Sequence, residues 1–588
     1  MLTIIPLGLL SSTSPILAER HKPFGPYHVE PVSKILYPRI GAPVIIKTGS
    51  TFPVFLKSDL KEGTTWEATL ASPFDKYDLA VDAAELDSNA SEWTLTLRVP
   101  TSVSRGLYNL TLHPSSSSST GYSEPNSVFV VGADYPAMIR VGVISDTHYG
   151  IRSPFYDLTT RILRRSIDAL NAIGLDLIIG AGDMTDATVD EQVFSAFRAE
   201  IVRLHVPILM APGNNDHQSV LRGQYLWEKY LAPNSATLDF GRYHFVMLDA
   251  QDGSIPDEQL QWARDDLGSA SAGSFKVMVF HFPYWTETSP SLSVEIPKII
   301  TNYNVSLSLH GHWHYDDVKL TPTLSIVTTS LSTSDKFVGY RLLNLTTAGV
   351  QYAPQSLPYI KLNVTYLQHN DFSSPGGAVL IENGLTTTLD FTLTFLLHNA
   401  PSPLDKPNIE GASLVRSTST KTPRGSETVQ VTTKVQLGQN QLVKAYYEPD
   451  TTLPAVAVSA QISDSTITLN PVASDVGLGV LSLRVFCSEN NSTWVEVFPK
   501  TVGRAVEWAF SASASKIYVK AVAVDAAGLE AVRYVIVERV PPITTATTQP
   551  TVPSPSVDLS IYVGVIAVLA IVLLSVVALR RRRAGKRA

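Results

Sequence analysis

Five short polar motifs in the middle of the chain constrain its fold more than any other feature. Each motif comes directly after an apolar run with the length and composition of a buried β-strand. In chain order the motifs are Asp146-Thr147-His148, Gly182-Asp183, Gly213-Asn214-Asn215-Asp216, His281 and Gly311-His312-Trp313-His314. Because ligands usually sit at the carboxyl ends of strands in open α/β sheets, we expect these side chains to share one rim. Oxygen and imidazole groups gathered in this way are what a two-metal hydrolytic site requires.

The region around these motifs alternates apolar runs with stretches in which apolar residues recur at helical spacing. This alternation predicts α/β layers. The predicted strands are 138–145, 175–182, 206–213, 243–250, 275–282 and 305–311. The predicted helices are 157–173, 189–205 and 256–267.

In type and order, the motifs resemble those of the calcineurin-like metallophosphoesterase superfamily, which read D-x-H, GD-x-x-D, GN-x-D, H and GH-x-H. The resemblance covers about residues 138–345 and implies two stacked sheets flanked by helices. It also implies seven metal ligands, three for each of two ions and one shared. The ligands of the first ion are Asp146, His148 and His314. The ligands of the second ion are Asn214, His281 and His312, and the shared ligand is Asp183.

Mixed oxygen and imidazole ligands suit two divalent or trivalent transition-metal ions, namely Mn, Fe, Zn or Co. The resemblance therefore implies a dinuclear, metal-dependent phosphoric ester hydrolase. In such an enzyme a hydroxide that bridges the metals attacks the phosphorus of a phosphoester substrate. A phosphodiesterase is the expected subtype.

One position departs from the family pattern. Most members have a histidine where this chain has Asn215, and that histidine contacts the phosphate and helps the leaving group depart. Asparagine donates hydrogen bonds but cannot protonate an alkoxide. His217 is an alternative proton donor, and Asp216 is its candidate partner. The candidate catalytic residues are therefore Asn215, Asp216 and His217. Two further histidines, His244 and His310, lie within strand runs and are expected in the core or behind the ligands.

Regions outside 138–345 are patterned as β-rich modules. Alternating apolar and polar residues predict an all-β immunoglobulin-like domain over 27–133. A β-rich domain is predicted over 355–448, and an immunoglobulin- or fibronectin-like domain over 452–540. The predicted fold class is thus α/β, a two-sheet metallophosphoesterase sandwich flanked by helices, with additional all-β immunoglobulin-like domains and one C-terminal transmembrane helix.

The two ends of the chain predict export and anchoring. Residues 560–579 carry no charge and are long enough to span a membrane, and the basic tail 580–588 predicts a cytoplasmic C-terminus. The Pro/Thr-rich stretch 541–558 is typical of a stalk. The apolar run within 1–18 predicts a signal peptide. We therefore expect a single-pass cell-membrane protein with most of the chain outside the cytoplasm.

Composition narrows the alternatives. A net charge of −7, despite the basic tail, argues against a nucleic-acid partner and against a DNA nuclease. The single cysteine, Cys487, excludes an intramolecular disulfide and a cysteine-based zinc site. The main alternative to an anchored enzyme is a cell-surface adhesion or envelope-structural protein with an inactive phosphoesterase domain. The complete ligand set favours the enzyme, whereas Asn215 favours the alternative.

Overall fold

A computed structural model describes most of the chain. The described residues are 29–115, 121–150, 156–186, 190–217, 222–250, 252–332, 337–385, 388–398, 406–419, 427–436, 438–498 and 505–539. The predicted signal peptide, stalk, transmembrane segment and basic tail all lie outside these residues.

The N-terminal part is a sheet of eight strands. They are β1 (Ile35–Tyr37), β2 (Val44–Ile46), β3 (Thr51–Lys57), β4 (Trp66–Ala71), β5 (Lys76–Asp87), β6 (Glu92–Arg98), β7 (Gly106–Pro114) and β8 (Tyr122–Val130). Their hydrogen-bonded order is β1-β3-β6-β5-β4-β7-β8-β2. In β6, the buried Trp93, Leu95 and Leu97 alternate with more exposed polar residues. Since alternate side chains of a strand point to opposite faces, the apolar ones fill one core.

The central part contains twelve strands and all of the described helices. Its strands are β9 (Ile139–Ile144), β10 (Leu177–Ala181), β11 (Ile208–Ala211), β12 (Ala236–Phe240), β13 (Tyr243–Met247), β14 (Phe275–Val279), β15 (Val305–His310), β16 (Asp317–Lys319), β17 (Leu324–Val327), β18 (Gly339–Thr346), β19 (Gly349–Tyr352) and β20 (Leu357–Pro358). Its helices are α1 (Tyr156–Ala172), α2 (Glu191–Ile201), α3 (Arg222–Tyr230), α4 (Asp257–Ser269), a π-helical turn (Ser291–Glu295) and α5 (Ile296–Asn302).

These strands form two sheets. The first has the order β11-β10-β9-β18-β19, with β20 paired to β18, and the second has the order β12-β13-β14-β15-β17-β16. In β13, Phe245 joins the core shared with the first sheet, whereas Val246 joins a separate core with α4 and α5. Leu163 of α1 and Phe194 of α2 pack with the first sheet. The two sheets therefore pack together, and helices cover them.

Two further β modules follow. The first contains β21 (Leu362–Tyr366), β22 (Gly376–Asn383), β23 (Leu389–Leu397), β24 (Asn408–Glu410), β25 (Ser413–Ser419), β26 (Glu427–Val435) and β27 (Asn440–Tyr446). The second contains β28 (Ala455–Ser463), β29 (Thr466–Ser474), β30 (Val480–Ser488), β31 (Val495–Phe498), β32 (Val506–Ala509), β33 (Lys516–Asp525) and β34 (Glu530–Glu538). Each module has two small sheets: β21-β22-β27-β24 with β23-β26-β25, and β28-β29-β32 with β31-β30-β33-β34.

A buried ion pair joins the N-terminal sheet to the central part. The side chains of Arg39 and Glu124 are fully buried, with Arg39 Nε 3.5 Å from Glu124 Oε1. Arg198 of α2 places Nη2 3.1 Å from Glu124 Oε2. Arg39 also donates from Nη1 to the backbone oxygen of Glu228 in α3, at 2.9 Å. Buried charges of this kind are tolerated only when they are paired and hydrogen-bonded.

Two histidines outside the motifs, His244 and His310, are buried and hydrogen-bonded to neighbouring residues. His244 of β13 places Nδ1 2.8 Å from Asp239 Oδ1 and Nε2 2.7 Å from Asp266 Oδ2. Burial lowers the pKa of His244, but hydrogen bonds to these two carboxylates outweigh burial and raise it overall. His310 is fully buried, its Nδ1 is 3.0 Å from the backbone oxygen of Phe280, and burial lowers its pKa to about 3.

The predicted fold class requires correction. Strands hold 47% of the described residues and helices only 13%, so the chain is β-dominated rather than α/β. The reason is that the N-terminal sheet and the two later modules contain strands but no helix among their described residues. The predicted C-terminal transmembrane helix is also unsupported. Within the described ranges no helix is long and apolar enough to cross a membrane, and the segment 560–579 lies outside those ranges.

Candidate metal centre

The five motifs lie at the ends of neighbouring strands. The first three follow β9, β10 and β11, which are parallel neighbours in the first sheet. The other two follow β14 and β15, which are parallel neighbours in the second sheet. Parallel strands end at the same edge of a sheet, so each sheet presents its motifs along one edge.

Six of the seven predicted ligands converge in two triads. In each triad, one ligand atom from each residue lies within 4.8 Å of the other two. The first triad is Asp146, His148 and His314. The second triad is Asp183, His281 and His312. The resemblance implies that Asp183 is shared between the two ions and that Asn214 also binds the second ion; in the structure, Asp183 groups with His281 and His312.

The carboxylate of each triad also approaches an imidazole of the other triad. Asp183 Oδ2 is 3.2 Å from His281 Nε2 in its own triad and 3.9 Å from His148 Nε2 in the other. Asp146 Oδ1 is 3.2 Å from His314 Nε2 and 3.8 Å from His281 Nε2. Each carboxylate therefore lies within 4 Å of an imidazole from both triads, so either one could bind two ions at once.

Two buried ligand atoms of the site lack the hydrogen-bond partners that buried polar groups normally have. They are His281 Nε2 and Asn214 Oδ1. His281 Nε2 lies 3.2 Å from Asp183 Oδ2, but the two atoms are not aligned for a hydrogen bond. Buried polar atoms without partners are rare in native proteins, and a cation would satisfy them. His148 Nε2 and His314 Nε2 are hydrogen-bonded to each other at 3.1 Å.

Contacts behind the ligands fix their orientation. His281 Nδ1 lies 2.8 Å from the backbone oxygen of Ala181, which leaves Nε2 facing the site. His148 Nδ1 lies 3.3 Å from Asp186 Oδ1. Ser145 donates from Oγ to Asp146 Oδ2 at 2.6 Å. Such contacts fix the tautomer and orientation of metal-binding side chains in metalloproteins.

The backbone at the ligands is strained. Twelve described non-glycine residues have positive φ, and five of them are predicted ligands. These five are Asp146, His148, Asp183, His312 and His314. Left-handed backbone is uncommon for residues other than glycine and clusters at functional sites. Glycine is required nearby as well, because a Cβ on Gly182, at φ 90°, would lie 2.4 Å from His281 Nδ1.

The charges of the site are strongly coupled. Burial disfavours the charged form of His281, but the Asp183 and Asp146 carboxylates outweigh it and raise the His281 pKa to about 9. Burial, with the nearby His281, lowers the pKa of His312 to about 4. Burial disfavours ionisation of Asp183, yet His281 and its other partners hold the Asp183 pKa below its usual range. The site thus favours the ionised form of Asp183, which is the form that binds a metal.

Asn215 and Asp216 support the ligand loops. Asn215 donates from its backbone N to Asp183 Oδ1 at 2.7 Å and from Nδ2 to Asp183 Oδ2 at 2.6 Å. The buried Asp216 accepts from the backbone N of Gly213 at 2.9 Å and from both N and Oγ1 of Thr185 at 2.8 Å. Burial raises the Asp216 pKa to about 6, and the Asp183 carboxylate adds to the rise. Asp216 therefore ties the third motif to the second.

His217 lies beside a carboxylate that sequence reasoning missed. Both His217 and Asp249 are buried, and His217 Nδ1 is 3.6 Å from Asp249 Oδ2. His217 Nε2 is buried without a hydrogen bond. Asp249 follows β13 two residues after its end, so it is a polar residue after an apolar strand, which is the pattern that the five motifs share. The same rule, applied to the fourth predicted strand, would have found Asp249.

Aromatic side chains adjoin the second triad. The Phe282 ring lies 4.2 Å from the His312 ring, centre to centre. Trp313 stacks on Tyr315 at 5.3 Å and 19°, and Trp285 meets Trp313 edge-on at 5.5 Å. Tyr315 is 53% exposed. We call Trp285, Trp313 and Tyr315 the aromatic surface.

Comparisons with known proteins agree with this geometry. A family model described as calcineurin-like phosphoesterase matches residues 139–316. No significant match was found among curated proteins.

Two solved structures show distant likenesses to this chain. The TT1561 protein of Thermus thermophilus is 17% identical, with 37% of this chain and 98% of that chain covered and a TM-score of 0.25. A β-glucuronidase 3 of Bacteroides uniformis is 10% identical, with 84% and 76% covered and a TM-score of 0.25. With TM-scores this low, neither likeness bears on function.

Proposed function

Residues 139–316 of this chain form a calcineurin-like phosphoesterase domain, and from this premise we propose that the chain is a phosphodiesterase with a dinuclear metal centre. The domain implies a phosphoester substrate and divalent metal ions. The observation that carries the proposal is the pair of triads, in which six ligand side chains from four loops converge. Their mixture of carboxylate and imidazole favours Mn, Fe, Zn or Co.

The chain's own residues hold and orient this centre. The first ion would be held by Asp146, His148 and His314. The second would be held by His281, His312 and Asn214, with Asp183 shared. When bound, two such ions neutralise phosphoryl charge and lower the pKa of water, so that hydroxide is available near neutral pH. Because the ligands already face one another, little reorganisation would accompany metal binding.

Two features support a diester as the substrate. The Asn215 amide is engaged by Asp183 Oδ2 and cannot supply a proton, so a poor alkoxide leaving group receives no acid help from this position. A diester also carries a second esterified group beside the reacting phosphorus. Trp313 of the aromatic surface directly follows His312 in the chain, and this surface would offer apolar contact for such a group, most favourably for an aryl one.

The test combines metal content with substrate preference. Elemental analysis of the purified full chain should find about two transition-metal ions per chain, the number that a two-metal site holds. Hydrolysis of bis(4-nitrophenyl) phosphate should have a higher kcat/KM than hydrolysis of 4-nitrophenyl phosphate. Asp183→Asn should lower kcat by roughly 10²–10³-fold or more, the scale seen when one key charge-stabilising group is removed.

Asp265→Asn is the matched control, because it makes the same change at an exposed position of α4 in the same domain. It should keep both metals and full activity. A metal-reconstituted chain that binds no metal would refute the dinuclear centre. A clear preference for the monoester would refute the diester assignment and leave the phosphoesterase intact.

The cellular location of the phosphoesterase domain does not follow from its chemistry. We propose that the domain lies outside the cytoplasm. The support is the sequence of the two ends of the chain, which lie outside the described residues. Protease added to intact cells should digest the domain at 139–316, whereas digestion only after lysis would contradict it.

A further inference from the structure

A second group of metal-ligating side chains lies far from the phosphoesterase site in sequence. Asp450 lies between β27 and β28, Asp475 lies between β29 and β30, and Asp525 ends β33. One carboxylate oxygen from each lies within 4.8 Å of the other two. Three segments of the chain therefore bring three carboxylates to one point at the junction between the last two β modules.

Acidic clusters are common on protein surfaces, but this one is partly buried, and two of its carboxylate oxygens have no hydrogen-bond partner. The Asp525 side chain is fully buried, and its Oδ2 has no hydrogen-bond partner. Asp475 Oδ1 is also buried and has no hydrogen-bond partner. No Lys, Arg or His in the described part of the chain forms an ion pair with the triad. An unpaired buried carboxylate is costly, so the arrangement requires a cation or a bound proton.

The loops hold the unpartnered oxygens in place. Asp475 Oδ2 accepts from the backbone N of Gly477 at 3.1 Å and of Gly479 at 2.7 Å. Asp525 Oδ1 accepts from the backbone N of Leu529 at 2.8 Å. Asp475 and Asp525 thus each use one oxygen to fix a loop and leave the other without a partner. Burial raises the Asp475 pKa, and the two neighbouring carboxylates oppose its ionisation further.

The same loop contacts the preceding β module. Gln368 donates from Nε2 to the backbone oxygen of Asp475, and Ser374 donates from Oγ to the backbone oxygen of Gly477 at 3.1 Å. Leu478, in this loop, belongs to a small buried apolar cluster with Ala378 and Ala526. Whatever the triad binds would therefore stabilise the junction between the two modules.

We propose that Asp450, Asp475 and Asp525 bind one Ca²⁺ ion that fixes the last β module to the module before it. The ligands are all hard oxygens, which suit Ca²⁺, and the triad contains no imidazole or thiolate to favour zinc. Ca²⁺ is favoured over Mg²⁺ because it accepts irregular coordination by carboxylates and carbonyl oxygens, whereas Mg²⁺ demands near-ideal octahedral geometry.

Ca²⁺ titration of the full chain tests the proposal, with the phosphoesterase centre saturated by Mn²⁺ in every sample. Wild type should bind one Ca²⁺ per chain. Asp525→Asn should weaken that binding by at least about tenfold, the scale on which ligand-shell changes act, and should leave diester hydrolysis unchanged. Asp464→Asn is the matched control, because Asp464 is exposed in the same module and lies outside the triad. It should bind Ca²⁺ like wild type.

Hydrogen exchange of the wild-type chain gives a measurement that does not depend on a variant folding. Added Ca²⁺ should slow exchange at 450–452, 475–479 and 525–529 and leave β6 unchanged. Equal exchange with and without Ca²⁺ would overturn the proposal. So would Ca²⁺ binding of wild-type strength in Asp525→Asn. Either failure would leave the phosphoesterase centre untouched, since Asp183→Asn tests that centre separately.

Discussion

Replacing Asn215 with alanine should weaken metal binding without removing a predicted ligand. Asn215 Nδ2 donates to Asp183 Oδ2 at 2.6 Å, and its backbone N donates to Oδ1 at 2.7 Å. Alanine removes the first bond and keeps the second. A hydrogen bond to a charged group is worth about 1.5–3 kcal/mol. At about 1.4 kcal/mol per factor of ten, metal affinity should fall by roughly 10–150-fold.

Competition with a calibrated chelator measures Mn²⁺ affinity directly in the full chain. Asn215→Asp should weaken binding more than Asn215→Ala, because it replaces a donor with an acceptor that faces the Asp183 carboxylate. Asn234→Ala is the matched control, since it removes an amide–carboxylate bond of 2.7 Å to Glu228, outside the five motifs. Wild-type Mn²⁺ affinity in Asn215→Ala would refute the reasoning, because it would show that this hydrogen bond is no stronger with metal bound than without it.

Three further changes probe the site and its support. Gly182→Ala places a methyl group against His281 and should lower stability by about 1–3 kcal/mol, with loss of activity. Calorimetry measures the stability and a diester assay measures the activity. A variant that is active and as stable as wild type would contradict this expectation. Glu124→Gln leaves its buried arginine partner unpaired and should cost about 3–5 kcal/mol, read from denaturant unfolding; a loss below about 1 kcal/mol would contradict it. His244 has a raised pKa, so its stabilisation should be complete below about pH 6.5 and should fade as pH rises through the folded-state pKa. The stability gap between wild type and His244→Gln should therefore be larger at about pH 6 than at about pH 9, and a constant gap would exclude a titrating His244.

The central strands could be predicted because they are buried on both faces and read as continuous apolar runs. All six predicted strands contain an observed strand, namely β9, β10, β11, β13, β14 and β15. Short or late strands such as β16 and β18 gave no comparable signal. The strand β18 joins the first sheet antiparallel to β9 although it follows the second sheet in the chain. That pairing depends on long-range packing, which local pattern does not encode.

The closeness of the motif residues could be predicted, whereas their role as metal ligands stays a prediction. Six of the candidate ligands meet in two groups because each follows a strand whose end is fixed by hydrogen bonding to its neighbours. Sequence could not show that Asn215 contacts Asp183, or that His217 lies beside Asp249, because those contacts depend on loop conformation. The acidic group at Asp450, Asp475 and Asp525 was invisible for another reason. Its members are far apart in sequence and share no motif.

Backbone strain links the site to the rest of the fold. Five predicted ligands adopt left-handed conformations, each at a cost of about 1–3 kcal/mol. The sum is comparable with the whole net stability of a typical domain, about 5–15 kcal/mol. Packing between the two sheets and their covering helices must offset it, and the largest apolar core of the described structure lies there. The backbone conformations that aim imidazoles and carboxylates at common points therefore persist because buried strands on both sides hold the loop ends. This explains why the ligands occupy strand ends rather than free loops.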